Sequence, residues 1–588
     1  MKRQMIPLVL AAALGVARAA DAQVGGNAPL EVYHGFTLID GLGGPPIEDA
    51  AISVRGNSIV TVGSRRELLL GPSAPRDAIV INLGGGYVIP GLIDAHVHLS
   101  TAPDRQNGEA ELHRLLYAGV TAVRDMAGDA RALASLARDS RLGEIVAPDV
   151  FYSAVMAGET FMSDPRPQAS TVGETAGQVP WMQAVTPETD MVTAVARAKG
   201  TSATGVKIYA NLAAAEVARI TEEAHRQGMR VWAHSMVFPA RPLEVVESGV
   251  DVISHACYLA WEAMAEVPEV YHHSVVPQYG AFNAASQVFT ELFEAMRAQG
   301  TVLDATLATY TRPVAERSPD AQCDPAFAAA LVSRANADGI PIAAGSDFTT
   351  PPDDPFPALY RELDALVANA GLTPMQAIVA GTSAAARAIG IEETAGSLAH
   401  GRPVDFVFMR ENPLEDIAAL RSVEAVWKNA VRYERDGYRP RFRTDDTVVR
   451  EPAPGADSPT DLLDAWLTMW RRYDLDRVRD LFLNDDALTY FPSDGEGVIT
   501  GLDAVLTYHE GLGFAAGGFQ PDGELWLEDV TVANLGESAV IGAIWHFGSR
   551  ANRAAAGRGP LTMVLTRTSS GFRISHVHFG NYAPEASM

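Results

Sequence analysis

The 588-residue chain is too long for one small domain, and its 47% hydrophobic and 20% charged residues describe roughly two to four globular domains with ample core. Asp and Glu outnumber Lys and Arg by 72 to 46, and the net charge of -26 repels phosphate backbones and anionic membranes, so nucleic acid is excluded as the expected partner. With only Cys257 and Cys323, disulfides are not the framework, although one bridge can form.

The chain opens with MKRQMIPLVLAAALGVARAADAQ. Lys2 and Arg3 precede an apolar stretch, and small residues follow with A-x-A steps at Ala17–Ala19 and Ala20–Ala22. This pattern predicts a secretory signal over residues 1–22, too short for a membrane span. No later stretch is apolar enough to cross a bilayer, so a soluble, secreted or periplasmic protein is expected.

Residues 28–88 alternate apolar and polar positions between Gly and Pro turns and predict short antiparallel strands, the first part of a small sheet domain. From 89 to 394 the pattern changes to buried strands separated by helices. The strand candidates are LIDAHVHL, GVTAVRDM, DVFYSA, GVKIYA, RVWAHS, VDVISHA, TVLDATLA and IPIAAGSD. Amphipathic segments such as AAAEVARITEEAHRQG lie between them, and the whole predicts an α/β fold, a (β/α)8 TIM barrel. LTPMQAIVAGTSAAARAIG is expected as one helix. Residues 395–445 return to short strands that complete a composite β-sandwich with the N-terminal strands. Residues 446–459 form a Pro, Gly and Asp linker, and 460–588 an α+β domain. Its first helix carries Leu462, Leu463, Trp466, Met469 and Trp470 on one stripe.

Barrel chemistry sits at the C-terminal ends of the strands. The first strand ends with His96 and His98, which share a face because side chains alternate along a strand. The fourth carries Lys207, the fifth His234, the sixth His255 and the eighth Asp347. Four imidazoles and a carboxylate are the usual donors for zinc and related divalent ions, so these strand ends are read as a metal site.

The chain from about Leu30 to Arg435 resembles the amidohydrolase superfamily, most of all its prolidase-like and imidazolonepropionase-like members. The residues that carry the resemblance are PGLIDAHVHL, AGVTAVRD, GVKIYA, VWAHS, GVDVISHA, AAGSD and the tail GRPVDFVFMRENPLEDI. It implies two divalent ions, zinc by default: His96, His98 and Asp347 hold one, and His234 and His255 the other. Lys207 bridges them as a carbamate formed with carbon dioxide, or else stays an ammonium or binds substrate. A strand-end lysine in a closed barrel has a depressed pKa, which leaves its amine nucleophilic. Single-metal relatives of the imidazolonepropionase type lack this lysine, so Lys207 favours the two-metal branch. A metal-bridging hydroxide then attacks, and Asp347 serves as general base and acid in turn. Asp94, two residues before His96, is read as orienting the ligands or as a polar residue of the barrel interior.

The expected substrate is a small peptide or amide, such as a dipeptide or N-acyl amino acid. Tyr209, Tyr258 and Arg166 are its candidate contacts, Arg166 from the long irregular segment after the third strand. Cys257 is expected as a small buried residue, His272 and His273 as a solvated loop pair, and His113 and His225 as surface residues. Arg124 is expected to meet an anionic group or neutralise Asp125. The SHA around His255 departs from relatives that carry an acidic residue before the histidine and glycine after it, which puts any borrowed specificity in doubt.

The C-terminal domain is similar to the nuclear transport factor 2-like (SnoaL-like) fold, a cone of curved sheet lined by helix. The features are the Trp466/Trp470 helix, the WHF of Trp545 to Phe547 and the closing strand FRISHVHFGNY. The resemblance implies a module for homo-oligomer formation or small-ligand binding, and His576 and His578 need no metal. The alternatives are a lactone or phosphotriester hydrolase on the same site, a non-catalytic metal-bearing protein, or chemistry in the C-terminal domain.

Overall fold

Apolar strands buried on both faces wind into a ring of eight, each followed by helix or loop. Their ranges are Leu92–Val97, Val120–Asp125, Asp149–Gly158, Gly205–Ile208, Arg230–His234, Val252–Ser254, Val302–Asp304 and Ile342–Ala343. The computed structural model describes residues 28–71, 74–271, 277–279, 282–311, 323–351, 354–441, 458–485, 487–493, 497–515, 523–549, 555–568 and 571–582. The predicted signal, most of the predicted linker, and His272 with His273 lie outside the described residues.

All neighbours in the ring pair in parallel. The last strand meets the first through Ala95 N–H donating to Ala344 O at 3.0 Å and Asp347 N–H donating to His96 O at 2.8 Å. Strands flanked on both faces need no alternation, and LIDAHV, VTAVRD and GVKI are buried at every position. The outer helices are amphipathic. Ala214–Arg226 buries Val217, Ile220, Thr221 and Ala224 on one face, and burial of Val217 and Ile220 stabilises by roughly 1.5–3 kcal/mol each.

The helix expected over residues 372–390 is two helices, Pro374–Ala380 and Ser383–Ile389, broken at Gly381 and Thr382. The ring explains the break. Ala380 O accepts from Ala344 N–H at 2.9 Å and Gly381 O from Ile93 N–H at 2.8 Å, so carbonyls at this helix end serve the last and first strands. Thr382 Oγ1 donates to Ile378 O at 2.6 Å and satisfies another.

The composite sandwich forms as one continuous eight-stranded sheet, in which Phe406–Met409 pairs with Tyr87–Pro90 and so joins the two distant chain segments. Its core brings Tyr33, Phe36 and Val54 from the first segment against Phe406 and Trp427 from the second.

Contacts divide the chain into two units: Met1–Met162 with Thr175–Phe442, and Ser163–Glu174 with Arg443–Met588. The second unit carries helices Pro459–Arg472, Leu475–Leu481 and Leu502–Gly511 and a six-stranded sheet, the expected α+β arrangement. Four strands, Gly523–Asn534, Ser538–Ser549, Ala555–Thr568 and Gly571–Phe579, form an antiparallel meander. Leu462, Leu463, Trp466, Met469 and Trp470 are all buried, as their stripe predicts. No helix among the described residues is long and apolar enough to cross a membrane.

Candidate metal centre

Three of the strand-end groups converge closely: donor atoms of His96, His255 and Asp347 lie within 4.8 Å of one another. Asp347 Oδ1 is 3.1 Å from His98 Nε2 and 3.3 Å from His96 Nε2, and Oδ2 is 3.5 Å from His255 Nδ1. The His234 ring completes the rim, with its centroid 4.6 Å from that of His255. The backbone turns sharply to present these groups. His255 has φ 77° and Asp347 φ 54°, left-handed conformations that non-glycine residues rarely adopt and that concentrate at functional sites.

Protonation suits metal binding. Burial lowers the pKa of His255 to about 3 and also depresses His96, which leaves both imidazoles neutral. Burial opposes the charge on Asp347, yet His96, His255 and His98 hold the carboxyl far below the usual range. Lys207 is buried, and desolvation pulls its amine down to about 7. Its Nζ has no hydrogen-bond partner among the described residues. Neutral His96 and His255 imidazoles, an ionised carboxylate and an unpaired amine therefore face one small volume, while at His98 burial is outweighed by the Asp347 carboxylate, which raises the pKa. This donor set fits divalent ions, and the orphaned amine fits conversion to an anion that helps hold them.

A further carboxylate, Asp304 at the end of the seventh strand, was not among the sequence candidates. Its Oδ2 accepts from His96 Nδ1 at 2.7 Å, Ser254 Oγ at 2.8 Å and Arg124 Nη2 at 3.1 Å. With Nδ1 spent on Asp304, His96 turns Nε2 toward Asp347 and the site. Arg124 thus meets Asp304 and not its neighbour Asp125, whose carboxylate accepts from the N–H groups of Leu99 at 2.6 Å and Ala127 at 3.2 Å. The Arg124 guanidinium also donates to Ala95 O and Ala388 O and lies over the Trp232 ring. Gly345 makes this closeness possible, because a Cβ there would sit 2.2 Å from Asp304 Oδ1 and 2.6 Å from His96 Cβ. Asp94 supports the site through the backbone: its Oδ1 accepts from His96 N–H at 3.1 Å and Ser346 N–H at 3.0 Å.

Two of the three expected substrate contacts border the ligands. The Tyr209 ring lies 4.1 Å from that of His234 and stacks on Phe161 at 4.5 Å. Tyr258 is 5.8 Å from both His234 and His255, with its hydroxyl 3.2 Å from that of Tyr271. Arg166 instead pairs with Asp164 at 2.8 Å, in the segment Ser163–Glu174 that groups with the second unit. Cys257 is bridged to Cys323, with Cα atoms 6.0 Å apart, so the single possible disulfide forms where a free buried thiol was expected. His113 is also corrected. It is buried against Tyr117 and Tyr438, whereas His225 is exposed and pairs with Asp251 at 2.8 Å. His576 and His578 join no metal-capable cluster among the described residues.

Residues 87–432 match the amidohydrolase family, and residues 460–583 match the SnoaL-like domain. An ochratoxinase from Aspergillus niger is 26% identical over 462 residues, which span 70% of this chain and 88% of that protein. An imidazolonepropionase from Ralstonia nicotianae is 27% identical over 398 residues, 64% of this chain and 90% of that protein. Among solved structures, a Xaa-Pro dipeptidase with methionine bound in its active site aligns over 69% of this chain and 100% of its own. The TM-score is 0.54 at 22% identity, a likeness of fold.

Proposed function

Because the chain belongs to the amidohydrolase family, we propose that it is an exported metal-dependent hydrolase of amide or peptide C–N bonds in a small substrate, such as a dipeptide or N-acyl amino acid. The observation that carries this is the convergence of His96, His255 and Asp347 donor atoms within 4.8 Å at the C-terminal rim of the barrel. The names of the ochratoxinase and dipeptidase relatives favour the amide class over lactones and phosphotriesters.

In this reading His96, His98 and Asp347 hold one divalent ion, and His234 and His255 hold a second. Lys207 Nζ, whose pKa burial brings down to about 7 so that a substantial fraction is unprotonated at neutral pH, would add to carbon dioxide, lose a proton and become a carbamate, an anion able to help hold the ions. Zinc or a similar ion held by these residues would lower the pKa of water near neutral pH and would polarise the substrate carbonyl. Asp347 takes up a proton at its carboxylate and returns it to the leaving nitrogen. Asp304 fixes the His96 tautomer, and Asp94 holds the backbone of the first and last strands in register. Tyr209 and Tyr258 place their rings beside His234, where they would orient the substrate.

The test is a hydrolysis screen of the zinc-loaded protein against dipeptides and N-acyl amino acids, read by mass spectrometry. Cleavage is expected, and Asp347→Asn should reduce kcat by about 10²–10⁴-fold, the usual worth of a general acid–base group. A protein that holds its metal and cleaves none of these amides would sink the reading. Export is tested by fractionating cells that express the full chain. The Cys257–Cys323 bridge suits an oxidising compartment, and recovery of unprocessed protein in the cytosol alone would contradict it.

A further inference from the structure

Segments that follow the third, fourth, fifth and sixth barrel strands meet at Asn211. We propose that Asn211 is a positioning residue that holds an aromatic wall beside His234 and so sets how tightly the site takes a ring-bearing amide. Its effect on substrate rests on the amide-hydrolase reading; its hold on the wall does not.

Asn211 lies just past the fourth strand with φ 61°, a left-handed conformation that asparagine tolerates better than most residues. Its N–H donates to Val237 O at 2.7 Å, beyond the fifth strand. A primary amide carries its donor and its acceptor on separate atoms, and Asn211 spends them on two loops. Nδ2 donates to Thr160 Oγ1 at 3.0 Å, after the third strand, and Oδ1 accepts from Tyr271 N–H at 2.6 Å, after the sixth. Gly158 makes room for this crossing. Its N–H donates to Ala210 O at 2.9 Å, and a Cβ on it would lie 1.8 Å from Asn211 O.

The tied loops carry rings. Phe161, next to Thr160, stacks on Tyr209 with centroids 4.5 Å apart and meets Tyr271 edge-on at 6.2 Å. The Tyr271 hydroxyl lies 3.2 Å from that of Tyr258. The series closes on His234, 4.1 Å from Tyr209 and 5.8 Å from Tyr258. Each ring pair contributes little by itself, and ordering a loop costs conformational entropy, so such a wall needs fixed backbone beneath it. Asn211 fixes that backbone at Thr160 and Tyr271. A substrate ring then finds flat faces already in place to stack on.

The test uses the full-length, zinc-loaded protein. Asn211→Gly keeps the left-handed backbone and removes both side-chain bonds. Hydrogen–deuterium exchange in peptides that span Tyr271 should quicken about fivefold at that amide, the worth of one neutral hydrogen bond, while strand Gly205–Ile208 is unchanged. Asn211→Asp keeps the acceptor for Tyr271 and lets the Thr160 hydroxyl turn donor, so it should restore parental exchange. With N-acetyl-L-phenylalanine, Asn211→Gly should raise KM about fivefold and hold kcat within about twofold. N-acetylglycine has no ring to seat and should keep its KM, and zinc affinity read against a chelating dye should not move. Parental exchange at Tyr271 in Asn211→Gly would overturn the proposal. So would an equal rise in KM for both probes, or a fall in kcat or zinc affinity with KM unmoved, which would place Asn211 in the scaffold of the metal ligands. If the parent protein cleaves neither probe, the amide reading fails, and the exchange comparison still decides whether Asn211 holds the wall.

Discussion

Asp304 holds three donors on one carboxylate oxygen, and one of them is the imidazole of His96, a proposed metal ligand. Removing that charge leaves His96 without the partner that fixes its ring and its tautomer. Asp304→Asn should therefore weaken metal affinity by about 10–100-fold while the fold persists. Competition against a chelating dye measures this directly, and unchanged affinity would reduce Asp304 to a packing role. Sequence reading singles out His96, His98, Lys207, His234, His255 and Asp347 because a barrel gathers strand ends onto one rim. It passes over Asp304 because TVLDATLA reads as an ordinary strand, and the one available signal is a lone carboxylate in an apolar run. Of the two expectations for Arg124, the structure takes the anionic group, Asp304, over the neighbour Asp125. Asp125 is its neighbour in sequence, but successive strand residues face opposite sides, so the charge beside it in the chain is not the charge beside it in space.

Elements show the same division between what periodicity reveals and what tertiary contacts add. The barrel strands and the helix Ala214–Arg226 follow their apolar patterns. The break at Gly381 does not, because it answers to donors on the first and last strands, far away in sequence. Helix Leu502–Gly511 has a pattern feature with a measurable consequence. His509 sits on its buried face against Phe482, Tyr490 and Phe514, and donates from Nδ1 to Val505 O at 2.7 Å. Burial lowers its pKa to about 4. The unfolded chain takes up this proton near the ordinary pKa of about 6.5 and the folded chain does not, so stability present above pH 6.5 is lost as pH falls toward 4. The loss amounts to about 3 kcal/mol. Urea unfolding of the second unit at pH 7 and pH 4.5 should show an acid-induced drop smaller by about 2 kcal/mol in His509→Leu. An equal drop in both proteins would place the acid sensitivity elsewhere.

At the scale of the molecule, the Cys257–Cys323 bridge closes a loop of 66 residues in the barrel unit, two positions beyond His255. Two cysteines so far apart gave no spacing signature, and the pairing emerges only from the turn after the sixth strand meeting the start of helix Pro325–Ala337. A bridge over such a loop should stabilise the unit by about 4 kcal/mol, chiefly by restricting the unfolded chain. Chemical denaturation of Cys257→Ser/Cys323→Ser against the oxidised parent tests this. Equal midpoints would mean that the bridge does not stabilise the unit.

Ring closure carries a consequence in time. His96 and Asp347 come from opposite ends of the barrel segment, and the Asp347 N–H to His96 O bond is part of the seam between the last strand and the first. While the chain is being synthesised, the first pair of histidines is already made before its carboxylate partner is. A chain cut before Asp347 lacks the complete donor set and is expected to be hydrolytically silent, and the set comes together only when the ring shuts.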